Sequence, residues 1–184
     1  MTSFTLIYGC MFSGKTTKLI ELYQHCGFEQ EEIIVVKPVI DNRFVADKVN
    51  SHSGLNMPGM RIKHPEQIES YITDTTKIIF IDEVQFFGSR VGTIIQNILA
   101  QGIGVVASGL DRDYLHKDFG PMPDLKRMAD NNIALTARCH LCDEKGTHTF
   151  RTIKNDSQIL VGHDDMYQAR CEKHWDEGMK ALSD

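Results

Sequence analysis

Short apolar runs alternate with segments of helical periodicity through about the first 110 residues of the chain. The runs are four or five residues long and dense in valine and isoleucine, as expected for strands buried on both faces of a parallel sheet. They lie at Phe4–Tyr8, Ile33–Lys37, Ile78–Ile81 and Gly104–Ser108. One helix face is marked between the last two runs by Val91, Ile94, Ile95, Ile98 and Leu99. The pattern predicts an α/β fold, a parallel sheet flanked by helices.

The rest of the chain shows different patterns. Residues 38–64 have no clear periodicity, and we expect mostly loop there. After residue 132 come strand-like stretches at Thr147–Ile153 and Gln158–Val161, and then a short helix that opens near Cys171. We therefore predict an α/β nucleotide-binding domain of residues 1–136 and a small hairpin domain of residues 137–184.

Residues 9–16 match the G-x-x-x-x-G-K-[ST] pattern of a phosphate-binding loop. The loop stands between an apolar run and a helical segment, so it would hold phosphate at a helix N-terminus, where free N–H groups favour anions. In such loops the backbone N–H groups and the lysine contact phosphate oxygens, and the final hydroxyl ligates Mg²⁺. The residues expected to bind the phosphates of a nucleoside triphosphate are Gly9, Cys10, Met11, Phe12, Ser13, Gly14, Lys15 and Thr16.

Two carboxylates, Asp82 and Glu83, directly follow the third apolar run. An acid at the carboxyl end of a neighbouring strand faces the magnesium site in phosphate-loop folds, so Thr16 and Asp82 are candidates to bind Mg²⁺. Glu83 would then lie near the γ-phosphate, where it could remove a proton from a hydroxyl or from water. The alternative is that these acids simply end a strand.

Three cysteines and one histidine have the spacing of metal ligands, in Cys139-x-x-Cys142 and Cys171-x-x-His174. Three thiolates and an imidazole complete a tetrahedral zinc shell, which leaves no position for water and so indicates a structural site. The 28 residues between the two pairs can form the arms of a hairpin. The alternative is a set of reduced cysteines without a metal.

Composition narrows the classes of function. The net charge is −5 and no cluster of lysine and arginine stands out, which argues against a nucleic acid as the main partner. No apolar run approaches the ~20 residues that span a bilayer, and the first residues lack the pattern of a signal peptide. We therefore expect a cytoplasmic protein without membrane contact, in which the five cysteines do not form a disulfide framework.

Six blocks in the same order resemble the zinc-containing (type II) thymidine kinases over nearly the whole chain. The blocks are Gly9–Thr16, Asp82–Phe87, Gly109–Tyr114 with Phe119–Gly120, Leu135–Cys142, Thr149–Arg151, and Val161–Gly162 with Asp165–Tyr167 ahead of Cys171. The resemblance implies a P-loop NTPase sheet with a C-terminal zinc-binding hairpin, the lasso. It implies transfer of the γ-phosphoryl of ATP to the 5′-hydroxyl of thymidine, giving dTMP for DNA synthesis. It also implies a homotetramer and feedback by dTTP.

The same resemblance implies roles for individual residues. Glu83 matches the general base, while Asp41 and Arg43 match a loop that reaches the phosphates. Tyr167 matches a residue on the loop that closes over the nucleoside, and Thr149 matches the floor of the pocket. The other matches to the thymine pocket are the side chains of Met11, Phe86, Leu110, Tyr114 and Phe119 and the lasso backbone of Ile159, Leu160, Val161 and Gly162.

Two other functions share parts of this pattern. A motor or recombinase-type ATPase would use Glu83 to activate water, but it would normally carry basic DNA-contacting loops. A nucleotide-regulated scaffold would use its zinc module to bind a protein partner. The aromatic and glycine-rich segments after residue 109 favour the kinase over both. Dependence of ATP turnover on thymidine would distinguish them.

Overall fold

The computed structural model describes residues 2–39, 48–50, 56–153 and 166–183, and twelve strands lie within these ranges. In chain order they are β1 (Phe4–Tyr8), β2 (Ile33–Pro38), β3 (Lys48–Asn50), β4 (Asn56–Pro58), β5 (Met60–Ile62), β6 (Ile78–Ile81), β7 (Gly104–Gly109), β8 (Asn131–Ala134), β9 (Ala137–Arg138), β10 (Lys145–Gly146), β11 (His148–Arg151) and β12 (Tyr167–Arg170). Six of them form one sheet in the order β5-β2-β6-β7-β1-β8, and each neighbouring pair is parallel.

The sheet brings three chain segments to one edge. Strand β1 pairs with β7, and β7 pairs with β6, so the carboxyl ends of these three strands are adjacent. The phosphate loop follows β1, Asp82 follows β6, and Leu110 follows β7. Ligands of open α/β sheets bind outside the carboxyl ends of the strands, and this edge is therefore the expected location of the site.

Helices cover both faces of the sheet. They are α1 (Lys15–Gln24), α2 (Arg90–Ala100), α3 (Met122–Met128) and α4 (Glu172–Ser183), with 3₁₀ turns at Gln30–Glu32, Pro65–Tyr71 and Val84–Phe87. Neighbouring strand residues point to opposite faces: Leu6 packs in the cluster that contains the apolar faces of α2 and α3, and Ile7 packs with Leu19 and Ile20 of α1. The sheet is thus the middle of three layers, and helices α1, α2 and α3 form the outer two.

The C-terminal residues form a separate small assembly. Strand β9 pairs with β10, and β11 pairs with β12, both antiparallel. Helix α4 lies so close to β11 that a Cβ at Gly178 would lie 2.6 Å from the Phe150 ring. The guanidinium carbon of Arg170 stacks 3.5 Å from the centre of the same ring. The helix is therefore packed tightly on the hairpin β11–β12.

Most of the predicted elements are confirmed. Strands β1, β2, β6 and β7 and helix α2 lie where the apolar pattern placed them, although β2 continues through Pro38. The expectation of mostly loop over residues 38–64 is wrong at β3, β4 and β5, because three-residue strands are too short to show periodicity. The stretch Gln158–Val161 lies outside the described residues. Strand β12 was not predicted from the sequence.

Within the described ranges, no helix has the length and apolar character needed to cross a membrane.

Candidate active site

The phosphate loop leaves β1 at Gly9 and enters α1 at Lys15. A Cβ at Gly9 would collide with the carbonyl oxygen of Leu135, so the backbone that follows strand β8 excludes any side chain at this position. Gly14 precedes α1 with φ 83°, a left-handed conformation that glycine adopts at little cost. Phe12 also has a positive φ, 64°. This geometry presents the N-terminus of α1 to the loop, as phosphate binding requires.

Lys15 is buried at the base of this loop, and its Nζ donates a hydrogen bond to the carbonyl of Cys10 at 2.8 Å. Burial lowers the pKa of Lys15, whereas the negative charges of Glu83 and Asp82 act in the opposite direction. Lys15 lies beyond the carboxyl end of β1, and Glu83 follows β6 at the same edge of the sheet. The structure thus brings together the predicted phosphate-binding cation and the predicted base.

Asp82 is buried at the end of β6 and faces two hydroxyl groups. It accepts a hydrogen bond from the hydroxyl of Ser108 on β7, and Thr16 Oγ1 lies 3.4 Å from its Oδ2. Burial raises the pKa of Asp82 to about 6, and the neighbouring Glu83 charge acts in the same direction. The two predicted magnesium ligands, Thr16 and Asp82, are therefore adjacent. The role of Ser108 was not predicted; its signal was a polar residue in an otherwise apolar strand.

The raised pKa of Asp82 predicts a pH-dependent cost to stability. In the folded protein the pKa lies near 6, above the ordinary value of 3.8, so the protonated form is favoured on folding. The free energy of unfolding is therefore highest at low pH, where Asp82 is protonated in both states. It falls as the pH rises from about 4 to 6, because the carboxyl then ionises more readily in the unfolded chain. Without nucleotide and magnesium, Asp82→Asn should be more stable than wild type by up to about 3 kcal/mol at pH 7.5. Urea unfolding at several pH values should show this gain shrinking towards pH 4.5, and a pH-independent difference would contradict it.

Glu83 directly precedes the 3₁₀ turn Val84–Phe87 and has φ 54° and ψ 40°, a left-handed conformation that is uncommon for a residue with a side chain. Its Oε2 accepts a hydrogen bond of 2.5 Å from Nε2 of Gln85. The Oε1 of Gln85 accepts the backbone N–H of Leu110 at 3.1 Å. The sequence alone predicts no role for Gln85, although it lies within the block Asp82–Phe87.

Several predicted wall residues of the nucleoside pocket are neighbours in the structure. Phe86 and Phe119 meet edge to face, with ring centres 5.5 Å apart. Thr149 is buried on β11, and its Oγ1 accepts the backbone N–H of Met11 at 3.0 Å. The predicted floor of the pocket therefore touches the phosphate loop directly.

Two other predicted wall residues, Tyr114 and Tyr167, are joined by Arg151, for which the sequence alone predicts no role. Arg151 is only 1% exposed, and its guanidinium carbon lies 3.7 Å from the ring centre of Tyr114 and 5.4 Å from that of Tyr167. Its Nη2 also donates to the Tyr167 hydroxyl at 3.1 Å. The expectation that Tyr167 lies on a loop is wrong, because it begins strand β12.

The four predicted zinc ligands converge, with donor atoms all within 4.8 Å of one another. Cys142 Sγ and Cys171 Sγ are 3.9 Å apart, and His174 Nδ1 lies 3.2 Å from Cys171 Sγ and 3.5 Å from Cys139 Sγ. Bond lengths of about 2.3 Å to sulfur and 2.0 Å to nitrogen place tetrahedral donors roughly 3.5–3.8 Å apart. The cluster therefore fits zinc and would join the turn after β9 to the start of α4.

Two hydrogen bonds connect the phosphate loop to the C-terminal assembly. One is the bond from the N–H of Met11 to Thr149, and the other runs from the buried thiol of Cys10 to the carbonyl of Gly146 at 3.2 Å. Burial raises the pKa of Cys10, which keeps the thiol protonated and able to donate. The zinc-binding region thus supports the backbone of the loop.

Six predicted site residues lie outside the described residues: Asp41, Arg43, Ile159, Leu160, Val161 and Gly162.

Comparison with known proteins gives one family. A family model described as "Thymidine kinase" matches residues 2–175. The chain is 38% identical to a thymidine kinase of Mesomycoplasma hyopneumoniae over 167 residues, which cover 90% of this chain and 91% of that protein. It is 39% identical to a thymidine kinase of Mycoplasma mobile, covering 94% and 86%, and 38% identical to one of Bdellovibrio bacteriovorus, covering 92% and 83%.

Proposed function

The chain belongs to the thymidine kinase family and is an enzyme that phosphorylates thymidine, and from this premise we propose how its residues divide the reaction. Glu83 is the general base, and the phosphate loop holds ATP with Mg²⁺. The observation that carries this assignment is that Lys15, Asp82 and Glu83 lie at the carboxyl ends of β1 and β6, where Thr16, next to Lys15, places its Oγ1 3.4 Å from Oδ2 of Asp82.

The reaction then runs through one displacement. A carboxylate oxygen of Glu83 takes the proton of the thymidine 5′-hydroxyl, and the hydroxyl oxygen forms a bond to the γ-phosphorus of ATP. The bond from that phosphorus to the β,γ-bridging oxygen breaks, and its electron pair leaves with ADP. Lys15 and the backbone N–H groups of Gly9–Thr16 hold the phosphate oxygens, where positive charge stabilises the transition state. Arg43, with Asp41, is assigned to the same phosphates.

Magnesium would be held by Thr16 and Asp82, whose oxygens lie 3.4 Å apart. The ion would neutralise charge on the β- and γ-phosphate oxygens. With the ion bound, Asp82 would be ionised, although burial raises the pKa of this carboxyl in the free protein.

The nucleoside lies against a wall of apolar and aromatic side chains, as a flat neutral ligand requires. We assign the wall to Met11, Phe86, Leu110, Tyr114, Phe119 and Tyr167, with Thr149 at the floor. The backbone of residues 159–162 supplies hydrogen bonds to the base. Support for this arrangement comes from the contact of Phe86 with Phe119 and from Arg151, which joins Tyr114 to Tyr167.

Tyr167→Ala should raise the KM for thymidine far more than the KM for ATP. The variant removes an aromatic contact and the Arg151 hydrogen bond, a loss of about 1–3 kcal/mol. That loss corresponds to a roughly 5- to 150-fold higher KM for thymidine. Tyr167→Phe is the matched control, since it keeps the ring and removes only the hydroxyl. Initial-rate kinetics with each substrate varied would measure both effects. Equal effects on the two substrates would place Tyr167 outside the pocket.

The finer properties that we propose follow from the family. We infer two domains, residues 1–136 and 137–184, a homotetramer, inhibition by dTTP, and a cytoplasmic location without a nucleic-acid partner. Five free cysteines suit a reducing compartment. Sedimentation velocity tests the tetramer, and a titration with dTTP tests the feedback.

The proposed function is tested by following ATP consumption with and without thymidine. We expect turnover that depends on the nucleoside and yields one dTMP for each ADP. ATP hydrolysis that proceeds equally without thymidine would contradict the proposal and favour an ATPase.

A further inference from the structure

Gln85 is a buried amide whose two ends are both engaged. Gln85 is only 2% exposed. The Nε2 end donates to Oε2 of Glu83 at 2.5 Å, and the Oε1 end accepts the N–H of Leu110 at 3.1 Å. A flipped amide would place oxygen against a carboxylate and a donor against a donor. The two partners therefore determine the orientation of the amide.

Gln85 packs directly against two glycines, whose lack of a side chain leaves room for it. A Cβ at Gly109, the last residue of β7, would lie 2.5 Å from Oε1 of Gln85. A Cβ at Gly120 would collide with the backbone oxygen of Gln85, and Gly120 also has φ 52°. Any side chain at either glycine would displace Gln85 or the loop that carries it. The position of Gln85 is therefore restricted on two sides, at its side-chain oxygen and at its backbone oxygen.

The partner of Gln85 is a carboxylate on a strained backbone. Glu83 has φ 54°, which costs energy for a residue with a Cβ and is retained only where surrounding contacts stabilise it. The charged Gln85–Glu83 bond is stronger than a neutral hydrogen bond and supplies such a contact. Because the other end of Gln85 binds Leu110, one side chain connects the predicted base to the predicted wall of the nucleoside pocket.

We propose that Gln85 is a positioning residue, which holds Oε2 of Glu83 and thereby presents Oε1 to the 5′-hydroxyl of thymidine. This proposal rests on the proposed role of Glu83. The proton leaves the hydroxyl oxygen and is bound by Oε1, while Oε2 keeps its hydrogen bond from the amide. Gln85 exchanges no proton. Since an error of about 1 Å in the position of a reacting group can cost on the order of 100-fold in rate, loss of this bond should act mainly on kcat.

Two substitutions distinguish the effects of the two hydrogen bonds of Gln85, one to Glu83 and one from Leu110. Gln85→Met removes both and keeps the length of the side chain. Gln85→Glu keeps an acceptor for the Leu110 N–H but places a carboxylate oxygen against Glu83. We expect both variants to lower kcat by roughly 10- to 100-fold, with the KM for ATP within about 3-fold of wild type. Only Gln85→Met should also raise the KM for thymidine, because only this variant releases Leu110.

Gln67→Met is the matched control. Gln67 likewise accepts backbone N–H groups near a 3₁₀ turn, from Lys63 and His64, but these residues follow the outermost strand β5 rather than β1, β6 or β7. Its kcat should equal that of wild type. Melting temperature and zinc content report folding of every variant, and Gln85→Asn, which keeps an amide but shortens its reach, replaces any variant that does not fold.

A double-mutant cycle with Glu83→Gln decides the outcome. If Gln85 acts through Glu83, Gln85→Met should change kcat by less than about 2-fold when Glu83 is already replaced, because the effects of coupled residues are not additive. The same fold-change in both backgrounds, or wild-type kcat in folded Gln85→Met and Gln85→Glu, would overturn the inference. If Glu83→Gln alone leaves kcat unchanged, the proposed base itself is wrong.

Discussion

Glu83→Gln should lower kcat by about 10²- to 10⁴-fold, the range expected for loss of a general base. The substitution keeps the size of the side chain but replaces the carboxylate that accepts the proton. The phosphate loop is formed by other residues, so the affinity for ATP should stay within a few-fold of wild type. Steady-state kinetics with thymidine varied, together with a direct binding titration of an ATP analogue, would measure both quantities.

Glu69→Gln is the control for this experiment. Glu69 lies in the 3₁₀ turn Pro65–Tyr71 and accepts a hydrogen bond from Asn97, away from the carboxyl edge of the sheet. This variant should have wild-type activity. Near-normal turnover of a folded Glu83→Gln protein would rule out Glu83 as the base.

Loss of the zinc site should unfold the C-terminal hairpins and also weaken nucleotide binding. Closed sites of thiolates and imidazole contribute on the order of 10–16 kcal/mol of apparent binding energy in small modules. Cys142→Ala removes one of four ligands that join the turn after β9 to helix α4. The bonds from Cys10 to Gly146 and from Met11 to Thr149 would be lost with the module, so the effect should reach the phosphate loop.

Three measurements check the zinc prediction. Metal analysis of reduced protein should give about one zinc per chain. Hydrogen exchange in Cys142→Ala should be fast over β9–β12, and binding of an ATP analogue should weaken. Cys26→Ala is the matched control, because Cys26 is a free, half-buried cysteine outside the cluster. A protein that contains no zinc, or an intact hairpin in Cys142→Ala, would contradict this account.

The parts of the fold that the sequence predicted are those with a strong local signal. Strands such as Ile78–Ile81 are dense runs of branched residues, and the face of α2 repeats with helical spacing. Strand β5 has three residues and gains its stability from pairing with β2, which is a tertiary contact. Strand β12 is similar, since its four residues pair with β11 across a long stretch of sequence. Such strands carry little information in their own residues.

The residues of the candidate site likewise divide into those with a local sequence signal and those that depend on tertiary contacts. The phosphate loop and the two pairs of metal ligands are defined by fixed spacing, and they were found without a structure. Gln85, Ser108 and Arg151 were not assigned, because their roles depend on partners brought close by folding. Arg151 is the clearest case: a buried cation between two tyrosines has no signature in sequence, and only burial and ring contacts reveal it.

The most direct test of the central claim is a crystal structure with thymidine and a non-hydrolysable ATP analogue with Mg²⁺. We expect an oxygen of Glu83 about 2.6–3.2 Å from the 5′-oxygen of thymidine, the distance required for proton transfer. The terminal phosphate should lie on the opposite side of that oxygen, held by Lys15 and the phosphate loop. A complex in which Glu83 is remote from the 5′-oxygen, or in which the nucleoside lies away from the carboxyl edge of the sheet, would contradict the account.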